Sequence, residues 1–422
     1  MKKTIEDLGD ISGKRVLVRV DFNVPLDDDG NITDTTRIER SLPTIKYLLS
    51  QGARLVLCSH LGRPKGEKKE SLSLLPVAKE LMNLLPLTKI KFSFQTIGEK
   101  VEQATHELKN GEILLLENVR FHKEEEKNDP LFAKKLARLA DIYVNDAFGT
   151  AHRKHASTAG VARLLPNAMG FLMGREVNTI LNVLENAKRP FVAVLGGAKV
   201  ADKIYVVLNM LKRVDIMIIG GGMAYTFLAA KGYKVGGSLV EEDKIDLARE
   251  ILEEAERSKI PVILPVDHKC GTSFSGAVKE QIVRKPDIPD HLIGMDLGPK
   301  TIKIFKKYIR RARTIIWNGP MGVFEFDNFS EGTEEIAKAV AKVKGVSIVG
   351  GGDSVASIRL LDLEEQITHI STGGGASIKL LEGELLPGIE VIENRNKLVK
   401  VAAPEKKKRS NLKKDEKIKN PY

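Results

Sequence analysis

The chain has 422 residues, more than one ordinary hydrophobic core accommodates, so we predict two domains. Apolar residues make up 42% and charged residues 29%, which is typical of soluble globular proteins, and no apolar run reaches the roughly 20 residues of a membrane span. Only two cysteines are present and no apolar segment follows the first lysines, so we expect a cytoplasmic protein without a secretory signal, a disulfide framework or a zinc site.

Positive charge is concentrated at the end of the chain. The formal net charge is +11, but residues 401–422 alone hold eight Lys or Arg against three Asp or Glu. A short lysine-rich run after Pro404 is typical of a solvated tail, so we predict a basic, disordered segment. Binding of this tail to a polyanion is the alternative, although no aromatic residue alternates with its lysines before Tyr422.

Short apolar strands alternate with amphipathic helices in the first half of the chain. Strands are predicted at 15–20, 53–58, 111–119 and 141–146, and helices at 37–50 and 73–85. The second half repeats the scheme with "PFVAVLGG", "DIMIIGGG", "IPVILPV", "RTIIWNG" and "GVSIVGGG", each before a helical segment. Near-continuous apolar strands separated by helices predict an α/β fold with parallel sheets covered on both faces.

The boundary between the halves is predicted near 166–190. Residues 169–190 show the apolar spacing of a helix, and Pro166 and Pro190 bound it. A helix in this place would connect two lobes stiffly. The alternative, that it only covers one of the sheets, stays open.

Basic residues follow the strands of the first half, where ligands of open α/β sheets bind. They are Arg63, Arg120 and Arg153 with His60, His122, His152 and His155, while Arg37 begins a helix and Asp21 and Asn23 follow the first strand. Arginines at successive strand ends repel one another unless an anion lies among them. Their guanidinium groups bind phosphate and carboxylate with two parallel hydrogen bonds. This edge predicts a small ligand with phosphate, carboxylate and at least one hydroxyl group.

Glycine follows the strands of the second half. The turns read "LGGAK" (195–199), "IGGGMA" (219–224), "WNGPMGVFE" (317–325), "VGGGDS" (349–354) and "STGGGAS" (371–377). Glycine lets backbone N–H groups approach an anion closely, so with Lys199 and Lys203 these turns predict a nucleotide phosphate site. Asp353 is a candidate magnesium ligand, and Glu325 a candidate acceptor for ribose hydroxyls. Trp317 is predicted to pack in the core rather than stack on a base.

Several common site motifs are absent. The sequence lacks the Walker motif G-x-x-x-x-G-K-[ST], the dinucleotide fingerprint G-x-G-x-x-G, the hydrolase elbow G-x-S-x-G and paired Cys/His zinc motifs. A first rival function, an NAD-dependent dehydrogenase for a phosphorylated acid, is disfavoured because it needs the dinucleotide fingerprint. A binding protein without enzymatic activity is the second rival, and it would not need Lys203 or Asp353.

Eight segments, in order along the chain, resemble the phosphoglycerate kinase family. They are "RVDFNVP", "SHLGRP", "LLLENVRFH", "NDAFGTAHR", "GGAKVADKI", "WNGPMGVFE", "VGGGDS" and "STGGGAS", and the resemblance covers about residues 3–395. It implies two Rossmann-like lobes, each a parallel sheet flanked by helices, that face each other across a cleft. It divides the chain into a phosphoglycerate-binding lobe (1–168), an interdomain helix (169–188), a Mg-nucleotide-binding lobe (189–376), a return segment on the first lobe (377–400) and the basic tail (401–422).

The resemblance also implies a reaction, the reversible transfer of a phosphoryl group between 1,3-bisphosphoglycerate and ADP to give 3-phosphoglycerate and ATP, with Mg²⁺. The residues that match the phosphoglycerate site are Asp21, Asn23, Arg37, His60, Arg63, Arg120 and Arg153. Those that match the nucleotide site are Lys199, Lys203, Gly221, Gly294, Glu325, Gly351, Gly352, Asp353 and Ser354.

Roles in the transfer follow from the same resemblance. Arg37 and Lys203 are expected to act on the transferring group, assisted by Lys199 and by the N–H groups of Gly373 and Gly374, and magnesium is expected at Asp353. No membrane or nucleic-acid partner is expected, and the protein is expected to be a monomer.

The sequence departs from the family pattern at a few positions. Ala201 stands where the family more often has serine, Lys154 interrupts "AHRKH", and Ile378 and Lys379 replace a common Leu and Glu. None of these changes removes a charged group that the reaction needs. The segment beyond about residue 396 matches no feature of the family.

Overall fold

Each half of the chain builds a six-stranded parallel sheet in the computed structural model, which describes residues 1–395. The strands of the first half are β1 (Arg15–Arg19), β2 (Arg54–Cys58), β3 (Ile90–Phe92), β4 (Ile113–Leu115), β5 (Ile142–Asn145) and β6 (Asn167–Met169). Those of the second half are β7 (Phe191–Leu195), β8 (Ile216–Ile219), β9 (Val262–Ile263), β10 (His268–Gly271), β11 (Gln281–Val283), β12 (Ile293–Leu297), β13 (Thr314–Asn318), β14 (Val346–Gly350) and β15 (His369–Ile370). The sheet orders are β3-β4-β2-β1-β5-β6 and β15-β14-β13-β7-β8-β9.

Helices flank both sheets. They are α1 (Thr36–Ser50), α2 (Leu75–Leu84), α3 (Glu99–His106), α4 (Lys123–Glu126), α5 (Pro130–Ala137), α6 (Phe171–Asn186), α7 (Ile204–Leu211), α8 (Met223–Ala230), α9 (Ile245–Arg257), α10 (Pro299–Ile309), α11 (Glu331–Ala341), α12 (Gly352–Leu360), α13 (Gly375–Leu381) and α14 (Pro387–Glu390). In the part of the chain that the structure describes, none of them combines the length and apolar character that a bilayer crossing requires.

The predicted α/β fold with parallel sheets is confirmed, with β1 central in the first sheet and paired in parallel with β2 and β5. The helix predicted after "IPVILPV" is wrong, because strand β10 of an antiparallel sheet follows β9 there. The sequence pattern does not predict β3, β6 or β12, whereas β15 ends directly before the predicted turn at 371–377. An antiparallel sheet of order β11-β10-β12, whose strands lie between β9 and β13 along the chain, was not predicted either. Strands β3 ("IKF"), β6 ("NAM") and β12 ("IGMDL") lack the longer apolar run that marks the predicted strands, and their neighbours in the sheet define them.

The helix predicted at 169–190 is α6, which is shorter than expected because strand β6 precedes it. One apolar cluster contains Leu17 of the first sheet, Met173 and Ile180 of α6, and Phe191 and Ala193 of the second sheet. This apolar cluster thus includes residues of α6 and of both sheets, and the role of α6 as an interdomain helix stays a prediction. Two further clusters fill the outer faces of the two sheets.

The end of the described chain contacts the first half. Lys3 N donates to Glu393 O at 2.8 Å, and Gly388 N donates to Ala151 O at 2.8 Å. Asn167 accepts a hydrogen bond from Glu393 N at 2.8 Å through its side-chain oxygen. The chain thus crosses back to the first sheet after α13. The predicted tail, 401–422, and the last residues of the predicted return segment lie outside the described residues.

Candidate active site

Arg37 and Asp21 form an ion pair at the carboxyl edge of the first sheet. Asp21 follows β1, and Arg37 lies in the first turn of α1, with 2.5 Å between Arg37 Nη1 and Asp21 Oδ2. The Asp21 side chain is 9% exposed and that of Arg37 38%. The carboxylate therefore holds one arm of the guanidinium group and leaves its other N–H groups for a ligand.

His60 is a neutral imidazole on the same edge. Its burial and the positive charge of Arg19 and Arg120 hold its pKa well below the usual range. Arg19 Nη2 lies 3.2 Å from His60 Nδ1, and because a guanidinium group only donates, the proton of the neutral ring is on Nε2. The 3.8 Å approach of Asp21 Oδ1 to Nδ1 is consequently not an ion pair.

The sequence analysis missed Arg19. It is 1% exposed within β1, and its Nε donates to Ser157 Oγ at 2.8 Å. Arg19 next to the apolar run 16–18 and before Val20 was the available signal, because a buried guanidinium group requires partners on neighbouring elements.

The loop that follows β2 is held by two predicted site residues. Asn23 Oδ1 accepts from Gly62 N at 2.8 Å, and Arg120 Nη1 donates to Gly62 O at 2.7 Å. Arg120 is 4% exposed, and burial together with the charge of Arg153 lowers its pKa to about 10. Its Nε lies 3.2 Å from Glu126 Oε1 without hydrogen-bond geometry, and its Nε and Nη2 are unbonded among the described residues.

A cleft of about 420 Å³ contains five of the seven residues predicted for the substrate site. These are Asp21, Asn23, Arg37, His60 and Arg153. The structure does not bring the other two into the cleft lining. Arg63 is exposed, and Arg120 is buried behind the loop at Gly62.

Residues of the second half form the opposite wall of the same cleft. Gly351 and Gly352 at the start of α12, and Gly373 and Gly374 before α13, all line it. The cations of the first sheet edge thus face glycine-rich turns of the second. This juxtaposition joins positions more than 300 residues apart in the chain.

Two arginines that no motif singled out also line this cleft. Arg40 Nη1 donates to Ile370 O at 3.2 Å, and Arg359 Nη1 lies 3.2 Å from Asp34 Oδ2. Both contacts join the first half of the chain to the second. The helical position of Arg40, three residues after Arg37, was the only signal in the sequence.

A second cavity of about 500 Å³ contains four of the residues predicted for the nucleotide site, Gly221, Gly294, Glu325 and Asp353. Its remaining walls include apolar side chains such as Leu239, Phe274 and Val323, which suit the faces of a base. A Cβ atom at position 294 would lie 2.3 Å from Tyr225 Oη, so glycine is required there. Trp317 is fully buried and donates to Gly319 O at 2.8 Å, which confirms the prediction that it packs in the core.

Lys203 lies beneath the glycine turns. Its Nζ donates to Gly196 O at 2.6 Å and to Asn318 O at 2.9 Å. Burial lowers its pKa to about 8, although the charge of Asp353 acts in the opposite direction. Lys199 is exposed, and Ser354 is buried with its Oγ accepting from Gly319 N at 2.6 Å. Neither the cleft nor the second cavity is lined by Lys199, Lys203 or Ser354, so a ligand contact from any of the three stays a prediction.

We expect an alkaline loss of activity from Lys203. Its ammonium form is present below pH about 8 and is lost as the pH rises, so kcat/KM for the nucleotide should fall through this range. In Lys203→Arg, whose guanidinium group stays charged, that fall should disappear. The measurement is kcat/KM from pH 6 to about pH 10, with Lys199→Arg as the matched control that should keep it. If kcat/KM of Lys203→Arg still fell at alkaline pH, the fall would belong to the titration of another group.

Comparison with known proteins agrees with this architecture. A profile of the family described as phosphoglycerate kinase matches residues 5–384. The phosphoglycerate kinases of Koribacter versatilis and Moorella thermoacetica are 53% and 54% identical to this chain over 402 and 394 residues. Each alignment covers 93% of this chain and 100% of the relative.

The chain belongs to the phosphoglycerate kinase family.

Solved structures of phosphoglycerate kinases have the same fold. The enzyme of Coxiella burnetii superposes with a TM-score of 0.85 at 40% identity, covering 93% of this chain and 98% of that one. The enzyme of Pyrococcus horikoshii superposes with a TM-score of 0.78 at 35% identity, covering 92% and 98%. The chain is therefore a phosphoglycerate kinase family enzyme, which transfers a phosphoryl group between 1,3-bisphosphoglycerate and ADP in glycolysis. The predicted family, fold class and reaction are confirmed.

Proposed function

We propose that the two cavities divide the reaction between them. 3-Phosphoglycerate or 1,3-bisphosphoglycerate binds at the cationic wall of the cleft, and the nucleotide binds in the second cavity with its phosphates toward the glycine turns. The observation that carries this proposal is the cleft itself, because one lobe supplies Arg37 and Arg153 and the other supplies Gly351 and Gly373.

The substrate contacts follow from the chemistry of the cleft wall. Arg153 is half-buried and would bind phosphate, while the carboxylate of Asp21 and the amide of Asn23 would bind the hydroxyl group. Neutral His60 would donate from Nε2 without adding charge. Arg63 and Arg120 retain their predicted place in this site, with Arg120 positioning the loop at Gly62.

Magnesium is proposed at Asp353. The residue is exposed at the first turn of α12 and lines the nucleotide cavity, and Mg²⁺ is held by one or two carboxylates together with substrate phosphates. Among the residues with a described position, no group of three or more His, Cys, Asp or Glu is arranged to hold a metal, which suits a site completed by phosphates. The ion would neutralise charge on the nucleotide phosphates.

The transfer needs alignment and donors rather than a base. The nucleophile is already an anion, either a phosphate oxygen of ADP or the carboxylate of 3-phosphoglycerate, so no side chain has to remove a proton. Arg37 and Lys203 would donate to the equatorial oxygens of the transferring group. The N–H groups of Gly373 and Gly374, and Lys199, would assist them.

Loss of Asp353 should weaken the metal-dependent part of nucleotide binding. In Asp353→Asn we expect the affinity for Mg-ADP to fall about 10–100-fold, because a carboxylate partner of the ion is lost. Calorimetry should find 3-phosphoglycerate affinity and metal-free ADP affinity nearly unchanged. Asp362→Asn, an exposed position just after the same helix, is the matched control. Equal losses for both substrates would show that the assignment is wrong.

Closure of the lobes is the expected route to in-line transfer, which requires reacting atoms about 3–3.5 Å apart. A compact single domain of this length would have a radius of gyration of about 22 Å. We expect a larger value for the free enzyme by small-angle scattering, and a decrease when 3-phosphoglycerate and Mg-nucleotide are both present. A scattering curve that does not change with both ligands at saturation would contradict closure.

One assay tests the whole proposal against its rivals. ATP-dependent conversion of 3-phosphoglycerate, followed with and without Mg²⁺, should occur only with the metal. A dehydrogenase would instead require a nicotinamide cofactor, and a binding protein would show no turnover. We further propose a cytoplasmic monomer, divided at the predicted boundaries 1–168, 169–188, 189–376 and 377–400.

A further inference from the structure

A segment of the second lobe carries dense positive charge that the reaction does not use. Residues 299–313, "PKTIKIFKKYIRRAR", contain seven Lys or Arg and no Asp or Glu. They comprise helix α10 and the turn that leads to β13. None of these residues lines the cleft or the nucleotide cavity.

Five of these cations share one face. Lys300, Lys303, Lys307, Arg310 and Arg311 line a surface depression of about 640 Å³. Arg310 and Arg311 follow the last residue of α10, and continuing the helical geometry through them places the five within an arc of about 100° and about 16 Å along the axis. We call this surface the basic face of α10.

Acidic neighbours do not neutralise the basic face. The adjacent helix α11 pairs Glu335 with Lys306 of α10 and Glu331 with Lys269 of β10, so neither carboxylate pairs with the five cations. Within residues 1–395, none of the five cations of the basic face has an ion-pair partner. Like charges three or four residues apart on a helix repel one another, so this arrangement destabilises the helix unless an anion is bound.

The helix cannot turn the basic face away from solvent. Its opposite side buries Ile302, Phe305 and Ile309 in the core of the second lobe. The carboxylate of Asp267 accepts hydrogen bonds from Lys300 N at 2.9 Å and Thr301 N at 2.7 Å, which anchors the first turn. The five side chains are therefore held on the solvent side of the second lobe.

We propose that the basic face of α10 binds the phosphodiester backbone of a nucleic acid duplex without reading its bases. A duplex carries about one phosphate charge per 1.7 Å of its axis, so a face about 16 Å long meets a dense array of anions with its five cations. A duplex also presents its phosphates at fixed positions. The expectation of no nucleic-acid partner rested on the basic tail alone, and this inference departs from it.

The composition of the face favours a duplex over other polyanions. A membrane-binding helix inserts apolar side chains, but the only apolar residue of the depression is half-buried Ile304. A single-stranded binder needs exposed aromatic rings for stacking, and none lines the depression.

The test compares two triple variants of the full chain by fluorescence anisotropy, with a labelled duplex of about 20 base pairs as DNA and as RNA. One carries Lys303→Gln, Lys307→Gln and Arg310→Gln. The control carries Lys46→Gln, Lys79→Gln and Lys109→Gln, three exposed lysines of the first lobe. The basic tail is present in every protein and contributes equally. Melting temperature and kinase turnover should be nearly unchanged in both variants.

For the wild type, the slope of log affinity against log salt between roughly 50 and 200 mM should be about −4.5 from the five cations, and steeper if the tail contributes. The basic-face variant should lose about 2.7 from the magnitude of that slope and on the order of 10³-fold in affinity at the lower salt, and the control should lose little. Equal losses of affinity in both variants would show that binding depends only on the net charge of the protein, and this would overturn the proposal. It is also overturned if the basic-face variant binds normally, or if the substitutions abolish binding to phosphatidylserine vesicles and not to either duplex.

Discussion

Replacing Arg37 by alanine is expected to lower kcat by about 10²–10³-fold while changing the KM for 3-phosphoglycerate much less. Asp21 holds one arm of this guanidinium group at 2.5 Å, which fixes its orientation at the cleft. Charge builds on the oxygens of the transferring group mainly in the transition state, so a donor aimed there acts chiefly on kcat. Arg153 and His60 remain to bind the ground state.

Steady-state kinetics in both directions would measure this effect. Lys46→Ala, an exposed position on the same helix α1, should leave both constants unchanged and controls for damage to the helix. Arg37→Lys keeps the charge but loses the fork, so it should give an intermediate kcat. A near-normal kcat with a raised KM in Arg37→Ala would show that Arg37 is a binding residue instead.

Gly373→Ala should reduce both activity and stability. A Cβ atom at position 373 would lie 2.2 and 2.4 Å from ring carbons of Phe148, which belongs to the other lobe and is fully buried. Overpacking of this kind costs about 1–3 kcal/mol of unfolding free energy. The turn at 371–375 must shift to relieve the clash, and a misplacement of about 1 Å among catalytic donors lowers turnover about 10²-fold.

Melting temperature and kcat, measured together, separate the two effects. Gly375→Ala is the matched control, because the residue is exposed in the same turn and its Cβ would make an ordinary 3.4 Å contact with His152. Adding Phe148→Leu to Gly373→Ala should restore part of both losses by making room. If Gly373→Ala lowered the melting temperature without lowering kcat, the N–H groups of this turn would not take part in the transfer.

Local signals account for what could be predicted about the site. Arg37, His60 and Arg153 follow strand ends or begin a helix, and the carboxyl ends of parallel strands meet at one edge. Gly351 and Gly373 also follow strands, and glycine at these places predicted a close approach of the backbone to a ligand. The chemistry of each edge, cationic on one and glycine-rich on the other, was therefore available from residue type and position along the chain.

Which residues line the cleft could not be predicted in this way. Arg63, Arg120 and Arg153 have equivalent places after their strands, yet only Arg153 lines the cleft. Arg40 and Arg359 have no motif, and they reach the cleft because helices α1 and α12 of different lobes approach each other there. The direction and burial of a side chain depend on how distant elements pack, and a sequence pattern does not predict that packing.

The sequence by itself determined the α/β alternation and the kinds of ligand, because apolar periodicity, glycine turns and strand-end cations are local properties of the chain. The family followed from the eight ordered segments that resemble it. Only the tertiary structure decided which of those residues meet, that His60 is neutral, and that the pKa of Lys203 is lowered to about 8. Distance and desolvation are set by segments far apart in sequence. The pairing that defines β6 and β15, and the basic face of α10, likewise exist only once neighbouring elements have packed.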